Sequence, residues 1–286
     1  MVKETIPVHG ISKLWLEVRQ LGRAIHFYRD VLRLPLVGLD GDIACFDVDG
    51  QQIALTEPQV FPDGSVAGAL CHWALAVEGA ESDWYARKVR ESGGRIYPIP
   101  WGHYIDDPDG NLGELWTGSA WPHARRGPRW GEEISPAAAI VEVSLLMTHQ
   151  AQALHFYRDR LGLATPGGVG ETGEPFMRMR LPGGQDLLLW WPGIYMGVAR
   201  AGRTMRLTLA CASLSAVAEF CDRQAVTYTH LNERLYVRDP FGHIFEVEEV
   251  ATWPLPPAGD PTRWSFPKRP TDVLRWDQGQ EGGSNA

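Results

Sequence analysis

The sequence lacks the features that mark several common classes of protein. Basic residues are not in excess, because 27 Lys and Arg stand against 35 Asp and Glu and the net charge is −8 over 286 residues. Nucleic acids and anionic membranes attract basic surfaces, so we expect neither as a partner. No apolar run approaches the roughly 18 residues of a membrane span, and the start of the chain contains no signal-peptide core. We therefore expect a cytoplasmic protein.

Cysteine is also scarce. The chain has four cysteines, which form no CxxC pair and no zinc-binding pattern: Cys45, Cys71, Cys211 and Cys221. We expect them to be free, buried thiols. Tryptophan, in contrast, is abundant, with 12 residues. Some will belong to the core, but a cavity lined with tryptophan would suit a flat, apolar ligand.

A repeated pentapeptide is the most informative feature that the sequence does contain. "HFYRD" occurs at 26–30 and again at 155–159, and the stretch "DDPDGNLGELW" at 106–116 is echoed by "RDPFGHIFEVE" at 238–248. Two landmarks repeated in the same order indicate an internal duplication. We place a first domain at 1–117 and a second at 138–252. A linker rich in Gly and Pro, 118–137, lies between them, and a Pro-rich irregular tail, 253–286, follows with an end that we expect to be disordered.

Each half contains two smaller units, which begin with an alternating strand and continue into a helix and further short strands. In the second unit the bulky Trp73, Leu75 and Val77 alternate with a polar and small set that begins at His72. We predict helices at about 22–32, 81–94 and 214–224. The pattern predicts an α+β fold of four βαβββ units that form two cupped, mixed β-sheets.

The face of each leading strand that points away from the helix carries an ionisable residue. These residues are Lys13, His72, Glu142 and Arg206, one in each unit. Charged groups do not face a dry core without partners. We therefore expect them to line concave surfaces that hold a ligand or a metal ion.

These motifs together resemble the vicinal oxygen chelate superfamily. The motif "AxxFYRDxLxL" after a leading strand, followed by "DPDGNLGELW" or "DPFGHIFEVE", is similar to glyoxalase I, bleomycin-resistance proteins, fosfomycin-resistance enzymes and type I extradiol dioxygenases over about residues 11–250. The resemblance implies one divalent metal ion (Fe, Mn, Zn or Ni), although a member can also bind none. It further implies a small organic ligand, often aromatic, and a monomer or homodimer.

Within that superfamily, the second half is most similar to the extradiol dioxygenases. The stretch "LYVRDPFGHIFE" at 235–246 resembles their signature. By that resemblance Glu246 is a metal ligand, Tyr236 an active-site phenol and His230 a catalytic acid or base, although His230 stands closer to Leu235 than the signature requires. His103 and Tyr104 precede the matching ending of the first half, and we expect them to contact the ligand.

The remaining metal ligands of the family are only partly matched. Metal-binding members open the leading strand with His or Gln, where this chain has Lys13, His72, Glu142 and Arg206. Arginine is only a donor and cannot ligate a metal. An iron site of two histidines and one carboxylate is therefore not expected in the second half. The residues of this chain that remain as metal ligands are His72, Glu114, Glu142 and Glu246.

Two ways of pairing the units are open. Pairing of adjacent units would form two ion-pair clusters, each with a cation in place of the metal: Lys13, His72 and Glu114 in one, and Glu142, Arg206 and Glu246 in the other. Pairing of the second unit with the third, and of the first with the fourth, would instead gather His72, Glu114 and Glu142 into a metal site and Lys13, Arg206 and Glu246 into an anion site. We favour adjacent pairing, because the second half ends like an extradiol enzyme.

Three functions follow from these alternatives. The first is an extradiol-type dioxygenase that acts on a small, aromatic molecule, with a metal chelating two neighbouring oxygens and a His or Tyr moving a proton. The second is a metal-free, drug-binding protein in which Lys13, Arg206 and tryptophan rings hold a planar anion. The third is a glyoxalase-like lyase, which requires the grouping of His72 with two glutamates. His72 and the glutamates also have a structural interpretation, as buried groups that only neutralise one another.

Overall fold

The computed structural model describes residues 4–57, 70–77, 79–100, 102–117, 137–166, 176–190 and 206–253. In the first half these ranges contain the strands β1 (Val8–Glu17), β2 (Leu36–Asp40), β3 (Ile43–Val48), β4 (Gln51–Thr56), β5 (Leu70–Val77), β6 (Ile96–Ile99), β7 (Gly102–Asp106) and β8 (Leu112–Trp116). In the second half they contain β9 (Ala137–Leu146), β10 (Phe176–Arg180), β11 (Asp186–Trp190), β12 (Arg206–Cys211), β13 (Tyr228–Leu231), β14 (Arg234–Arg238) and β15 (Ile244–Glu249). The helices are α1 (Leu21–His26), α2 (Gly79–Glu91), α3 (Gln150–Ala153) and α4 (Leu214–Arg223). Each copy of the repeated pentapeptide lies at a π-helical turn that continues α1 or α3, at Phe27–Val31 and Leu154–Arg160.

The strands form two mixed sheets, as predicted, but the units do not pair as we favoured. The order of the eight-stranded sheet is β13-β14-β15-β12-β1-β4-β3-β2, and that of the seven-stranded sheet is β10-β11-β9-β5-β8-β7-β6. The first unit therefore pairs with the fourth and the second with the third, and the prediction of adjacent pairing was wrong. The alternation of side chains indicates which face of a strand is buried. It carries no information about which of several similar leading strands lies alongside.

The third unit accounts for the difference between eight and seven strands. Among the described residues it has two strands after its helix, β10 and β11, where the other units have three. A single bridge between Ala164 and Arg180 lies where the additional strand would pair. The α+β fold of two mixed sheets is otherwise the one that the sequence predicts.

The two faces of the leading strands are separated as their alternation predicts. Their bulky residues belong to one apolar core cluster that includes members of both sheets, among them Leu14, Leu16, Trp73, Leu75, Val143, Leu145, Leu207 and Leu209. The opposite face carries the ionisable set, whose exposed fractions are only 4% at Lys13, 1% at His72, 4% at Glu142 and 6% at Arg206. Groups buried to this extent need partners, because an unpaired buried charge is costly.

Two glutamines hold the sheets together where the leading strands are irregular. The register of β1 against β12 shifts between Ile11 and Lys13, and that of β9 against β5 shifts next to Ile140. The N–H of Ile11 donates to Gln185 Oε1 at 2.6 Å, and the N–H of Ile140 donates to Gln51 Oε1 at 2.7 Å. These two bonds cross between the sheets. Each amide group also donates on its own side, from Gln51 on β4 to the carbonyl of Ile11 on β1 at 2.7 Å and from Gln185, next to β11, to that of Ile140 on β9 at 2.9 Å. The glutamines therefore satisfy buried backbone groups at both irregularities.

The two repeated motifs contact each other. The hydroxyl of Tyr28 donates to Asp107 Oδ2 at 3.1 Å, and that of Tyr157 donates to Asp239 Oδ2 at 2.6 Å. Each tyrosine belongs to the repeated pentapeptide, and each aspartate to the Asp-Pro-x-Gly turn. The hydrogen bonds link the first unit to the second and the third to the fourth, whereas the sheets link units across the halves.

The other structural expectations concern cysteine, membrane spans and segment boundaries. Cys45, Cys211 and Cys221 are free and buried. No described helix is long and apolar enough to cross a membrane. Apart from one residue each, the predicted linker at 118–137 and the tail at 253–286 lie outside the described residues. The division into domains stays a prediction.

We expect the substitution Tyr157→Phe to lower the free energy of unfolding by about 1.5–3 kcal/mol, because a buried carboxylate loses a donor. Denaturant unfolding followed by tryptophan fluorescence measures the change. The exposed Tyr97 serves as the control, and Tyr97→Phe should change stability by less than about 0.5 kcal/mol. Equal effects of the two substitutions would contradict a structural role for the contact between the motifs.

Candidate metal centre

Three strands of the seven-stranded sheet bring His72, Glu114 and Glu142 together. The central strand β5 pairs in parallel with β8 and antiparallel with β9, and Ala74 lies opposite Glu114 on one side and Glu142 on the other. His72 precedes Ala74 by two residues and so points from the same face. Because the side chain of Ala74 is small, the imidazole of His72 can occupy the space between the two glutamates.

The possible ligand atoms of the three side chains lie close to one another. His72 Nε2 is 3.1 Å from Glu142 Oε1 and 3.2 Å from Glu114 Oε2. One ligand atom from each residue can be chosen so that all lie within 4.8 Å of one another. Ligand atoms about 2.1 Å from a shared metal lie about 3.0–3.4 Å apart when they are neighbours in octahedral or tetrahedral geometry. The two distances from His72 already fall in that range.

The charge of the cluster also fits a cation. Two carboxylates and one imidazole are buried there, with exposed fractions of 1% at His72, 2% at Glu114 and 4% at Glu142. Burial raises the pKa of Glu142, and its hydrogen bond to His72 opposes that shift. One histidine can neutralise at most one of the two carboxylates, whereas a divalent cation neutralises both. The donor set of one nitrogen and two carboxylates therefore suits a divalent metal ion.

A serine that the sequence analysis missed completes the polar cluster. Ser144 Oγ is 3.0 Å from His72 Nε2 and donates to Glu142 Oε1 at 3.3 Å. Trp190 Nε1 donates to the same hydroxyl at 3.1 Å and so orients it. Ser144 follows Glu142 by two residues on the same face of β9, so the alternation of the strand was the signal that could have identified it.

Aromatic rings and a cation surround the cluster. The ring centroids of Tyr104 and Trp190 lie 5.4 Å and 6.0 Å from that of His72. Phe176 lies 4.7 Å from Trp190, and the guanidinium of Arg178 lies 6.0 Å from the Phe176 ring. The tyrosine was predicted to contact the ligand, and it pairs in register with Glu114 on the same face.

The two histidines predicted to serve in catalysis or ligand binding lie on the other face of their strands. His103 pairs with Leu115, and its Nδ1 is 2.8 Å from Ser82 Oγ of α2. His230 pairs with Leu235 and is exposed. Cross-strand neighbours share a face, so both histidines lie on the side of the buried leucines and not on that of the glutamates.

The remaining predicted site residues lie in the eight-stranded sheet. Glu246, predicted as a metal ligand, instead forms ion pairs with two arginines. Its Oε2 lies 3.3 Å from Arg206 Nε, and its Oε1 contacts Arg234. Tyr236 pairs with Glu246 in register and is buried. Lys13 lies on β1 of the same sheet. The four predicted residues of this sheet therefore lie outside the His72 cluster: Lys13, Arg206, Tyr236 and Glu246.

Comparison with known proteins agrees with this fold. Residues 10–115 match the family model of the glyoxalase/bleomycin resistance protein/dioxygenase superfamily. A metallothiol transferase FosB of Staphylococcus saprophyticus is 27% identical over 119 residues, which represent 39% of this chain and 79% of that protein.

Two solved structures share the fold over most of the chain. A presumed dioxygenase of Bacillus subtilis superposes with a TM-score of 0.67 at 15% identity, over 98% of this chain and 97% of that one. Glyoxalase I of Zea mays superposes with a TM-score of 0.55 at 16% identity, over 84% and 92% of the two chains. At these identities the superpositions establish the fold alone. The first part of the chain is therefore similar in sequence to the glyoxalase/bleomycin resistance protein/dioxygenase superfamily, and most of the chain shares the fold of these two solved structures.

Proposed function

We propose that this chain is a divalent-metal-dependent enzyme that acts on a small organic molecule at the His72, Glu114 and Glu142 cluster. The observation that carries the proposal is the convergence of three buried ligand atoms within 4.8 Å. The similarity to a metallothiol transferase supports a metal-dependent reaction. The grouping is also the one that the third hypothesis from the sequence, a glyoxalase-like lyase, requires.

A bound divalent ion would supply Lewis-acid chemistry, by polarising oxygen atoms of the substrate. The protein's own residues hold and orient the groups around it. Trp190 fixes the hydroxyl of Ser144, and that hydroxyl in turn positions the carboxylate of Glu142. Tyr104 shares the face of Glu114 and lies against the His72 ring, where its phenol can exchange a proton with the substrate.

The surrounding side chains favour a flat substrate that carries negative charge. Phe176 and Trp190 form an aromatic wall beside His72, and Arg178 adds a cation at its edge. Aromatic faces bind planar groups by stacking, and a guanidinium binds carboxylates or phosphates. These contacts are consistent with an aromatic or conjugated substrate with an acidic group.

The ligand set favours a reaction without molecular oxygen. Iron enzymes that activate oxygen commonly use two histidines and one carboxylate, whereas this cluster has one histidine and two carboxylates. Oxygen-rich sites suit harder ions such as Mn²⁺. An extradiol site in the second half would need Glu142 beside Arg206 and Glu246, but these residues lie in different sheets. We therefore propose addition, elimination or isomerisation with proton transfer, in preference to ring cleavage.

The metal site is tested by the substitution Glu142→Gln. We expect the purified protein to bind one equivalent of Mn²⁺, and Glu142→Gln to weaken binding by about 100-fold or more, because loss of a ligand exceeds the effect of an outer-shell partner. The signal of free Mn²⁺ in electron paramagnetic resonance measures the affinity. Glu246→Gln is the matched control in the other sheet and should change the affinity less than about twofold. Full metal content in Glu142→Gln would contradict the site.

The affinity for Mn²⁺ should decrease as the solution is acidified, because His72 and Glu142 must lose their protons to bind a metal. Burial raises the pKa of Glu142 above its ordinary value of 4.5, so the loss should begin at a higher pH than for an exposed glutamate. The stability of the metal-free protein should instead increase as the solution is acidified. A raised folded-state pKa contributes stability that is present below pH 4.5 and is lost as the pH rises through the folded value. Thermal unfolding at a series of pH values, with and without Mn²⁺, measures both effects. If Tm depends on pH in the same way with and without Mn²⁺, a role for Glu142 is contradicted.

Turnover is tested with compounds that carry two neighbouring oxygens, such as an α-hydroxy ketone, a catechol and a thiol adduct of an α-keto aldehyde. We expect metal-dependent conversion without oxygen uptake. Tyr104→Phe should lower kcat by about 100-fold or more, since a general acid or base is removed, while the Mn²⁺ affinity stays unchanged. Tyr97→Phe, on the paired strand β6, is the control. Consumption of one O₂ per product would favour ring cleavage instead, and equal turnover after removal of the metal would contradict the proposal.

A further inference from the structure

The face of the eight-stranded sheet that lies opposite the core has the same framework as the metal centre but carries the opposite charge. The two sheets have matching registers in β5·β8 and β12·β15, so that Glu246 is placed relative to Arg206 as Glu114 is relative to His72. A guanidinium therefore stands where the other sheet has its imidazole. We refer to Lys13, Arg206, Arg234, Glu246 and Glu248 as the basic cluster.

Cations exceed carboxylates in the basic cluster. Arg206 Nε is 3.3 Å from Glu246 Oε2, and Arg234 contacts Glu246 and lies 3.3 Å from Glu248 Oε2. Lys13 is only 4% exposed and has no carboxylate within ion-pair distance among the residues that the structure describes. Three cations against two carboxylates leave one formal positive charge in a buried place. An excess buried charge is costly unless a counter-ion accompanies it.

Several donors of this face have no acceptor within the described part of the chain. They are Arg206 Nη1 and Nη2 and Gln52 Nε2, all buried. Gln52 pairs with Lys13 in register, so the amide and the ammonium share a face. Both oxygens of Glu246 also lack a hydrogen-bond donor among the described residues, but each forms an ion pair with an arginine. Arg206 Nη1 and Nη2 and Gln52 Nε2 need acceptors, and an oxyanion supplies several acceptors together.

The guanidinium of Arg206 is held in one orientation. It lies 3.6 Å from the centroid of the Trp15 ring, and Trp15 Nε1 donates to Thr208 Oγ1 at 3.1 Å, which fixes the ring. A guanidinium stacked on an aromatic face keeps its edge free for two parallel hydrogen bonds to a carboxylate. Burial lowers the pKa of Arg206 to about 9 and also lowers that of Lys13, which agrees with cations that lack sufficient compensation.

We propose that the basic cluster is a second ligand site, which binds the carboxylate group of a small organic acid through Arg206, Lys13 and Gln52. The formal excess of one charge matches a monoanion. A planar carboxylate accepts two parallel hydrogen bonds from Nη1 and Nη2 of one guanidinium. Arg234 and Glu248, with side chains 13% and 18% exposed, mark the side that is open to solvent.

Calorimetry and thermal unfolding with acetate, benzoate and inorganic phosphate test this site, against chloride at equal ionic strength and with a chelator present. We expect the carboxylates to bind saturably to the wild-type chain and to raise its Tm. Lys13→Met removes the excess charge, and Arg206→Lys keeps the charge but loses the paired donors, so each should weaken binding at least about tenfold. Arg223→Gln, on the surface of α4, is the control and should bind within about twofold of wild type.

Three results would overturn the proposal. Equal stabilisation of wild type and Lys13→Met would indicate a general salt effect, and absence of binding at millimolar carboxylate would indicate a closed ion-pair cluster. Tighter binding of phosphate than of either carboxylate would reject the carboxylate class. If Arg206→Lys does not fold, Lys13→Met alone decides the result. Glu142→Gln should bind carboxylate as wild type does, so this test is separate from that of the metal centre.

Discussion

The candidate metal centre depends on the antiparallel pairing of β5 with β9. That pairing joins two leading strands from different halves of the sequence and places Ala74 opposite Glu142. Because β8 pairs with the other edge of β5, Glu114 reaches the same alanine from the opposite side. The imidazole of His72 then lies between two carboxylates that are distant in sequence. A shift of β9 by one residue would turn Glu142 to the other face and remove the site.

The same pairing is made in the other sheet by β1 and β12, with a different chemical result. Arg206 takes the position of His72, and the glutamate on the last strand is then engaged by arginine. A guanidinium repels a metal ion and cannot ligate it. One duplicated framework therefore supports a site that favours a cation and a cluster that favours an anion. The residues that distinguish them, Lys13 and Arg206 in one sheet and Glu142 and His72 in the other, lie on the leading strands, on the face opposite the core.

Two sets of hydrogen bonds stabilise this arrangement along different directions. Gln51 and Gln185 join the sheets at the irregular positions of β1 and β9. Tyr28 and Tyr157 join consecutive units through the aspartates of the turns. The repeated pentapeptide is thus explained by packing and not by the metal centre, since its tyrosines bind turns on the helix side of the sheets. Both sets fix the backbone on which the ligand residues are placed, and such positioning is what a preorganised site requires.

The sequence by itself determined the repeated unit and the two faces of its leading strand, because the alternation of side chains and the turn residues are local features of consecutive positions. Trp73, Leu75 and Val77 could be assigned to the core, and His72 to the opposite face, from their spacing alone. The sequence also supplied Glu114 and Glu142 as candidate ligands, but their partnership was one of two open alternatives, and we favoured the wrong one. Ser144 and Arg234 follow the same alternation, yet nothing in the sequence distinguished them from other polar residues. Only the tertiary structure decided which leading strands lie side by side, because backbone hydrogen bonds between strands are nearly the same for every sequence, and the choice depends on the packing of the whole chain.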